Sequence, residues 1–186
     1  MYCAMPMAQR TIAAMSFYQH TVIQMTKMLR NLDACLKKAA AFAETKGSSP
    51  DDFANFKLTF DMRPLTFQVQ SACDIAKLAG ARLTGVEAPV HPDTETTLAQ
   101  LFDRIASTIS FLETLDEPKF AGAAEREVRL SFIPGQALYG ADYLREMALP
   151  NFYFHVTTAY ALLRMSGVAV GKRDYIGSLT LHPVKD

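Results

Sequence analysis

The chain reads as an all-α protein, an antiparallel four-helix bundle with a small β-hairpin before the last helix. Three observations predict this. Long stretches repeat apolar residues at alternating steps of three and four, the period of a helix with one buried face. Those stretches are punctuated by glycine and proline at the places where helices stop and start. Only Glu127–Phe132 alternates at period two, and Pro134-Gly135 follows it, which marks a hairpin.

The elements follow in order. From Thr21 to Lys46 the residues Val22, Met25, Leu29, Leu32, Leu36, Ala39 and Ala43 form one stripe, and Gly47 stops the helix. Lys27, Arg30, Lys37 and Lys38 fall off the stripe and face solvent. Ser49-Pro50-Asp51-Asp52 supplies a cap, a first-turn proline and acidic residues for a short helix through Lys57. Phe53, Phe56 and Phe60 are expected to fold this connection back onto the bundle. The second long helix runs from Pro64 to Leu83 and stops at Gly85. Its inward residues are Leu65, Val69, Ala72, Ala76, Ala79 and Leu83, small enough, with Gly80, for close helix approach.

Residues 85–93 form a proline-containing loop in which His91 is expected to be solvated. Asp93 or Thr94 is placed to cap a third helix reaching Leu115, buried through Leu98, Leu101, Ile105, Ile109 and Leu112. After the hairpin, with a return strand at Gln136–Tyr139, Asp142 opens a helical piece that runs into Pro150. An interior proline costs about 3 kcal/mol or kinks the helix, so a bend or restart is expected at Leu149–Asn151. The last long helix ends at Gly167, which suits a left-handed cap. The tail is expected to wrap the bundle without adding an element, with His182 exposed.

Composition bounds the function. The 186 residues are 49% apolar and 20% charged, and 19 basic side chains balance 19 acidic ones. A net charge of zero with no basic stripe argues against a nucleic-acid partner. Cys3, Cys35 and Cys73 form no CxxC pair, which argues against a zinc-thiolate site or a disulfide framework. No apolar run reaches the ~20 residues of a membrane span, and the N-terminus does not read as a signal peptide. The expectation is a cytoplasmic protein, with residues 1–14 as an extension and 15–186 as one domain.

Three strings carry a resemblance: PLTFQVQSACDIAK (64–77), LPNFYFHVTTAYALLR (149–164) and GVAVGKRDYIG (167–177). The chain resembles a bacterial and fungal domain-of-unknown-function family within the DinB/YfiT-like superfamily of four-helix bundles. That resemblance implies the same fold, a homodimer, and in many members a divalent metal held by three histidines. One of these lies on the second helix and two, as HxxxH, on the fourth. Here Asn151 and His155 stand at the HxxxH positions, and the second helix has no histidine. Gln70 and Asp74 are its nearest polar candidates, with Ser71 close by. A metal such as zinc or nickel, if bound, falls to Asp74, Asn151 and His155. An amide oxygen is a weak ligand beside imidazole, so no cofactor is expected.

His155 lies among Phe152, Phe154, Val156 and Ala159 on an apolar helix. A histidine, a carboxylate and an amide supply a general base, its orienter and a donor for developing negative charge. The catalytic candidates are therefore His155, Asp74 and Asn151. Gln70, Phe67, Phe152 and Tyr160, with Phe56, Phe60 and Phe154, are candidates to line a pocket for a hydrophobic small molecule. Such a site suits isomerase, cyclase or lyase chemistry. A degenerate metal enzyme and a non-catalytic binding or dimerisation module are the alternatives. The same aromatics also read as plain core, and Asp74 with Lys77 as a local ion pair. Tyr153, Thr157, Tyr160 and Arg164 form a second stripe suited to packing on the hairpin or tail, and Lys172-Arg173-Asp174 suits anchoring that tail.

Overall fold

Four long helices pack around one hydrophobic cluster in the computed structural model, which describes residues 16–184. The expected N-terminal extension and Cys3 lie outside these residues. A π-helical turn, Gln19–Ile23, leads into α1, Gln24–Thr45. All seven residues of the first apolar stripe are buried, and Gly47 takes φ +66° to end the helix. The next element, Pro50–Asn55, is a 3-10 turn in which Ser49 Oγ accepts from the Asp51 amide at 3.3 Å. Phe53 packs into the core, but Phe60 is 90% exposed, so only part of this connection folds back as expected.

Helix α2, Leu65–Thr84, buries its six inward residues completely and closes on Gly85 at φ +79°. A Cβ at Gly80 would stand 2.6 Å from Leu115 Cδ1, which is why a glycine permits this close approach. Helix α3, Leu98–Glu113, is capped by Thr97 in a capping box with Gln100, not by Asp93 or Thr94. Its inner face also differs from the sequence pattern. Ile109 is half-buried, while Arg104 and Thr108 are buried.

Strands β1, Glu127–Arg129, and β2, Ala137–Tyr139, pair antiparallel with Val128 opposite Leu138. The chain then enters α4, Gly140–Asp142, at a point where a Cβ on Gly140 would lie 1.9 Å from the Ala123 carbonyl oxygen. No side chain fits there. Asp142 lies inside this turn and pairs with Arg145 instead of acting as the cap. The expected break near Pro150 takes another form. Residues Tyr143–Ala148 widen into a π-helix, with the Leu149 amide donating to the Leu144 carbonyl five residues back. Pro150 then sits in the first turn of α5, Leu149–Met165, where its missing N–H is absorbed by the altered bonding.

Helix α2 packs against α3 and α5, and α1 packs against the same two, so α1 and α2 face each other across the bundle. The tail does add an element: α6, Lys172–Ile176, lies on α1. Asn31 Nδ2 donates to the Tyr175 carbonyl at 2.9 Å, and Lys38 Nζ lies 2.6 Å from Asp174 Oδ1. Tyr160 and Thr157 meet Tyr175, so the second stripe of α5 packs on the tail. Among the described residues no helix is long and apolar enough to cross a membrane.

Candidate functional site

The α2–α5 contact brings His155 against Gln68. His155 Nδ1 lies 2.8 Å from Gln68 Oε1, and Gln68 Nε2 donates to the Arg63 carbonyl at 3.0 Å. These two bonds determine the tautomer. A backbone carbonyl can only accept, so the amide NH2 must face Arg63 and the amide oxygen must face the ring. Nδ1 therefore carries the proton and donates, and Nε2 carries the lone pair. Gln68 is 2% exposed and satisfied at both ends. Burial of the half-buried imidazole lowers the His155 pKa from its ordinary 6.5, which favours the neutral ring. Phe67 and Phe154 flank it edge-on, with centroids 5.9 and 5.2 Å away.

The other expected residues divide between two places. Asn151 lies one turn before His155 on α5, on the same face and half-buried. Phe67 lies beside His155. Phe152, however, is fully buried core and meets Tyr153 edge-on, while Tyr160 packs on Tyr175 at the α1–α6 side. Gln70 and Asp74 do not orient His155. Asp74 lies about 120° round α2 from Gln68, because six residues make one and two-thirds turns.

That other face of α2 carries a charge cluster. Arg104, its side chain 1% exposed, reaches Asp74 at 2.8 Å, Asp93 at 3.1 Å and Glu95 at 2.8 Å. Gln70 Nε2 donates to Glu95 Oε2 at 2.9 Å, and Lys77 pairs with Asp74 at 2.8 Å. His91 is not free in solvent. Its ring nitrogens lie 3.2 Å from Lys77 Nζ and 2.9 Å from Ser107 Oγ. An ammonium can only donate, so Nδ1 accepts and Nε2–H donates to Ser107. Burial, then the cations Lys77 and Arg104, lower the His91 pKa against the pull of Asp74 and Glu95. Burial pushes the Glu95 carboxyl up, but hydrogen bonds from Gln70 and Arg104 outweigh it, and its pKa is lowered. This cluster fastens the 85–97 loop to α2 and α3.

The donor set does not fit the metal centre that the resemblance implies. Asp74 is committed to Arg104 and Lys77 on another face. Gln68 stands on α2 facing His155, but its oxygen already accepts from that ring. What remains toward α5 is one imidazole nitrogen and the Asn151 amide, too weak a set for firm binding. Among the described residues no group of three or more His, Cys, Asp or Glu side chains could hold a metal. Thiol nucleophiles are also unsupported. Burial pushes Cys35 up to about 11 and Cys73 up to about 12, so both stay protonated near neutral pH.

Two open recesses lie away from His155. One of about 730 Å³ is cradled by the hairpin, between Arg129 and Gln136, and another of about 660 Å³ lies between Pro89 and Phe111. Beside Tyr160 there is only about 10 Å³. His155 lines none of these three. Its aromatic neighbours are Phe67 and Phe154, the latter 55% exposed.

Helix arrangement, hairpin and the placement of His155 on the last long helix define a DinB-like four-helix bundle. The structure is similar to the crystal structure of a DinB family member from Shewanella denitrificans, with a TM-score of 0.87 and 47% sequence identity. The match covers 90% of this chain and 95% of that one. Residues 17–176 match the domain of unknown function DUF1993, and the chain belongs to that family. A search of curated proteins gives no match.

Proposed function

We propose that this bundle binds a hydrophobic small molecule at His155 and works there without a metal, the imidazole serving as acid and base. The observation that carries this reading is the Arg63–Gln68–His155 relay. It commits a fully buried glutamine to fixing one tautomer of a half-buried ring. The same bonds leave Nε2 with no protein partner among the described residues. With Nδ1–H held, Nε2 is a preset acceptor for a proton or hydrogen bond from a ligand. Gln68 adds no charge, so the ring remains neutral and able to act as a base at pH 7. Phe67 and Phe154 give an apolar body a surface, and Asn151 offers amide donors one turn away. Proton transfer next to a carbonyl, as in isomerase, cyclase or lyase reactions, is the chemistry this set serves best.

The test is a screen of apolar small molecules by NMR against the full chain, followed by His155→Ala. Ligands are expected to shift the His155 ring and neighbouring α2 signals. His155→Ala should abolish their binding while the circular dichroism melt stays cooperative. A screen that moves no signal near His155 removes this reading.

A further inference from the structure

We propose that Arg63 is the anion-recognising residue of the His155 site, and that the ligand is an apolar carboxylic acid. This rests on the reading above and deepens it. Arg63 lies at the entrance to α2, one residue before Pro64, and its guanidinium carbon stands 4.6 Å from the centre of the Phe67 ring. Phe67 in turn meets His155 edge-on. One aromatic ring therefore separates the guanidinium from the imidazole, and a ligand of similar length spans both.

The charge on Arg63 is uncommitted. Arg30, Arg104, Arg129 and Arg145 each hold a carboxylate of this chain, whereas exposed Arg63, like Arg82, Arg126, Arg164 and Arg173, has no ion-pair partner among the described residues, and of these five it is the one beside Phe67 and His155. The guanidinium lies over the Phe67 ring, and none of its N–H groups has a hydrogen-bond partner among the described residues. That planar fork matches the two oxygens of a carboxylate. The backbone of the same residue accepts from Gln68 and so sets the His155 tautomer. One residue thus fixes the base through its carbonyl and presents the cation through its side chain. A ligand with its carboxylate at Arg63 and its apolar body along Phe67 and Phe154 brings its other end to Nε2.

The probes are hydrocinnamate and hydrocinnamide, which differ in charge and hardly in shape, titrated into the full chain at low salt. The wild-type chain is expected to bind the acid about tenfold more tightly than the amide, the contribution of one charge-assisted contact. Arg63→Met keeps an apolar group over Phe67. It should bring the ratio to about one without weakening the amide, and Arg63→Lys should keep part of the preference. Equal binding of acid and amide by the wild type overturns the proposal, as does a preference that survives in Arg63→Met. If neither probe binds while other apolar ligands still shift His155, the carboxylate class falls and the His155 site stands. Equal binding of both probes that His155→Ala abolishes likewise removes the carboxylate class and keeps the site.

Discussion

Helix α2 carries two polar clusters on different faces, and they are built on opposite principles. Gln68 serves a cluster of neutral groups, with His155 and the Arg63 carbonyl, in which every bond fixes an orientation. Asp74 and Gln70 serve a cluster of charges, with Arg104, Glu95, Asp93 and Lys77, in which the bonds fasten a loop. A charged set this deep is tied up by its own partners, with only Arg104 Nε left without one among its buried side-chain atoms, because desolvated charges left unpaired cost several kcal/mol. A neutral set can leave one lone pair unused at small cost. The difference indicates which cluster holds structure and which can receive a ligand.

The largest effect should come from the charged side. Arg104→Leu takes the only ion-pair partner from Glu95, which keeps the Gln70 amide, and leaves Asp74 only Lys77, so unfolding stability should drop by about 3 kcal/mol, the low end for a broken buried pair. Urea denaturation measures it, and Glu95→Gln added to Arg104→Leu should restore part of the loss. His155→Gln, by contrast, should lose no more than about 1.5 kcal/mol. Equal losses for Arg104→Leu and His155→Gln would erase the distinction between the clusters.

Much of this is legible in the sequence, and the parts that are not share a cause. The α1 and α2 stripes are readable because periodicity alone decides burial there, and all thirteen residues named for them are buried. The hairpin is readable from alternation. His155 and Asn151 follow from the resemblance. Gln68 escapes a sequence reading because it sits beside Val69 in a helix where Gln70 and Asp74 look equally placed, and period alone does not fix which glutamine meets α5. Arg104 and Thr108 escape it because a charge next to an apolar stripe reads as solvated. Only the convergence of Asp74, from α2, with Asp93 and Glu95, from the loop, explains how Arg104 can be buried. Phe60 shows the converse, since an aromatic residue that reads as core stands in solvent.

Acid sharpens the comparison on a smaller scale. Both His155 and His91 have folded pKa values below 6.5, so the unfolded chain takes up more protons once the pH falls past that value. The stability tied to each neutral ring is present above pH 6.5 and lost as the pH falls through the folded value. His155→Asn and His91→Asn should each flatten this acid limb. The causes differ, though: burial alone acts on His155, while the cations Lys77 and Arg104 also act on His91. Raising the salt from about 0.05 to about 0.5 M should therefore move the His91 pKa upward in an NMR titration and leave His155 nearly still. Matching salt responses would mean that His155 also senses charge.

The smallest expected change in stability, and the sharpest on the neutral side, is Gln68→Met. Methionine keeps the shape of the buried side chain but offers no amide, so the Arg63 carbonyl and His155 Nδ1 both lose their partner. Because the ring is only half-buried, water can replace that bond, and the loss should stay near about 1 kcal/mol. The tautomer should respond far more than the stability. In nitrogen-15 correlation spectra the wild-type ring is expected to show a proton on Nδ1 and an unprotonated Nε2, and Gln68→Met should show a mixture of both forms. A mixture already present in the wild type would mean that Gln68 does not set the ring. The neutral cluster would then be packing, and His155 would lose its preset acceptor.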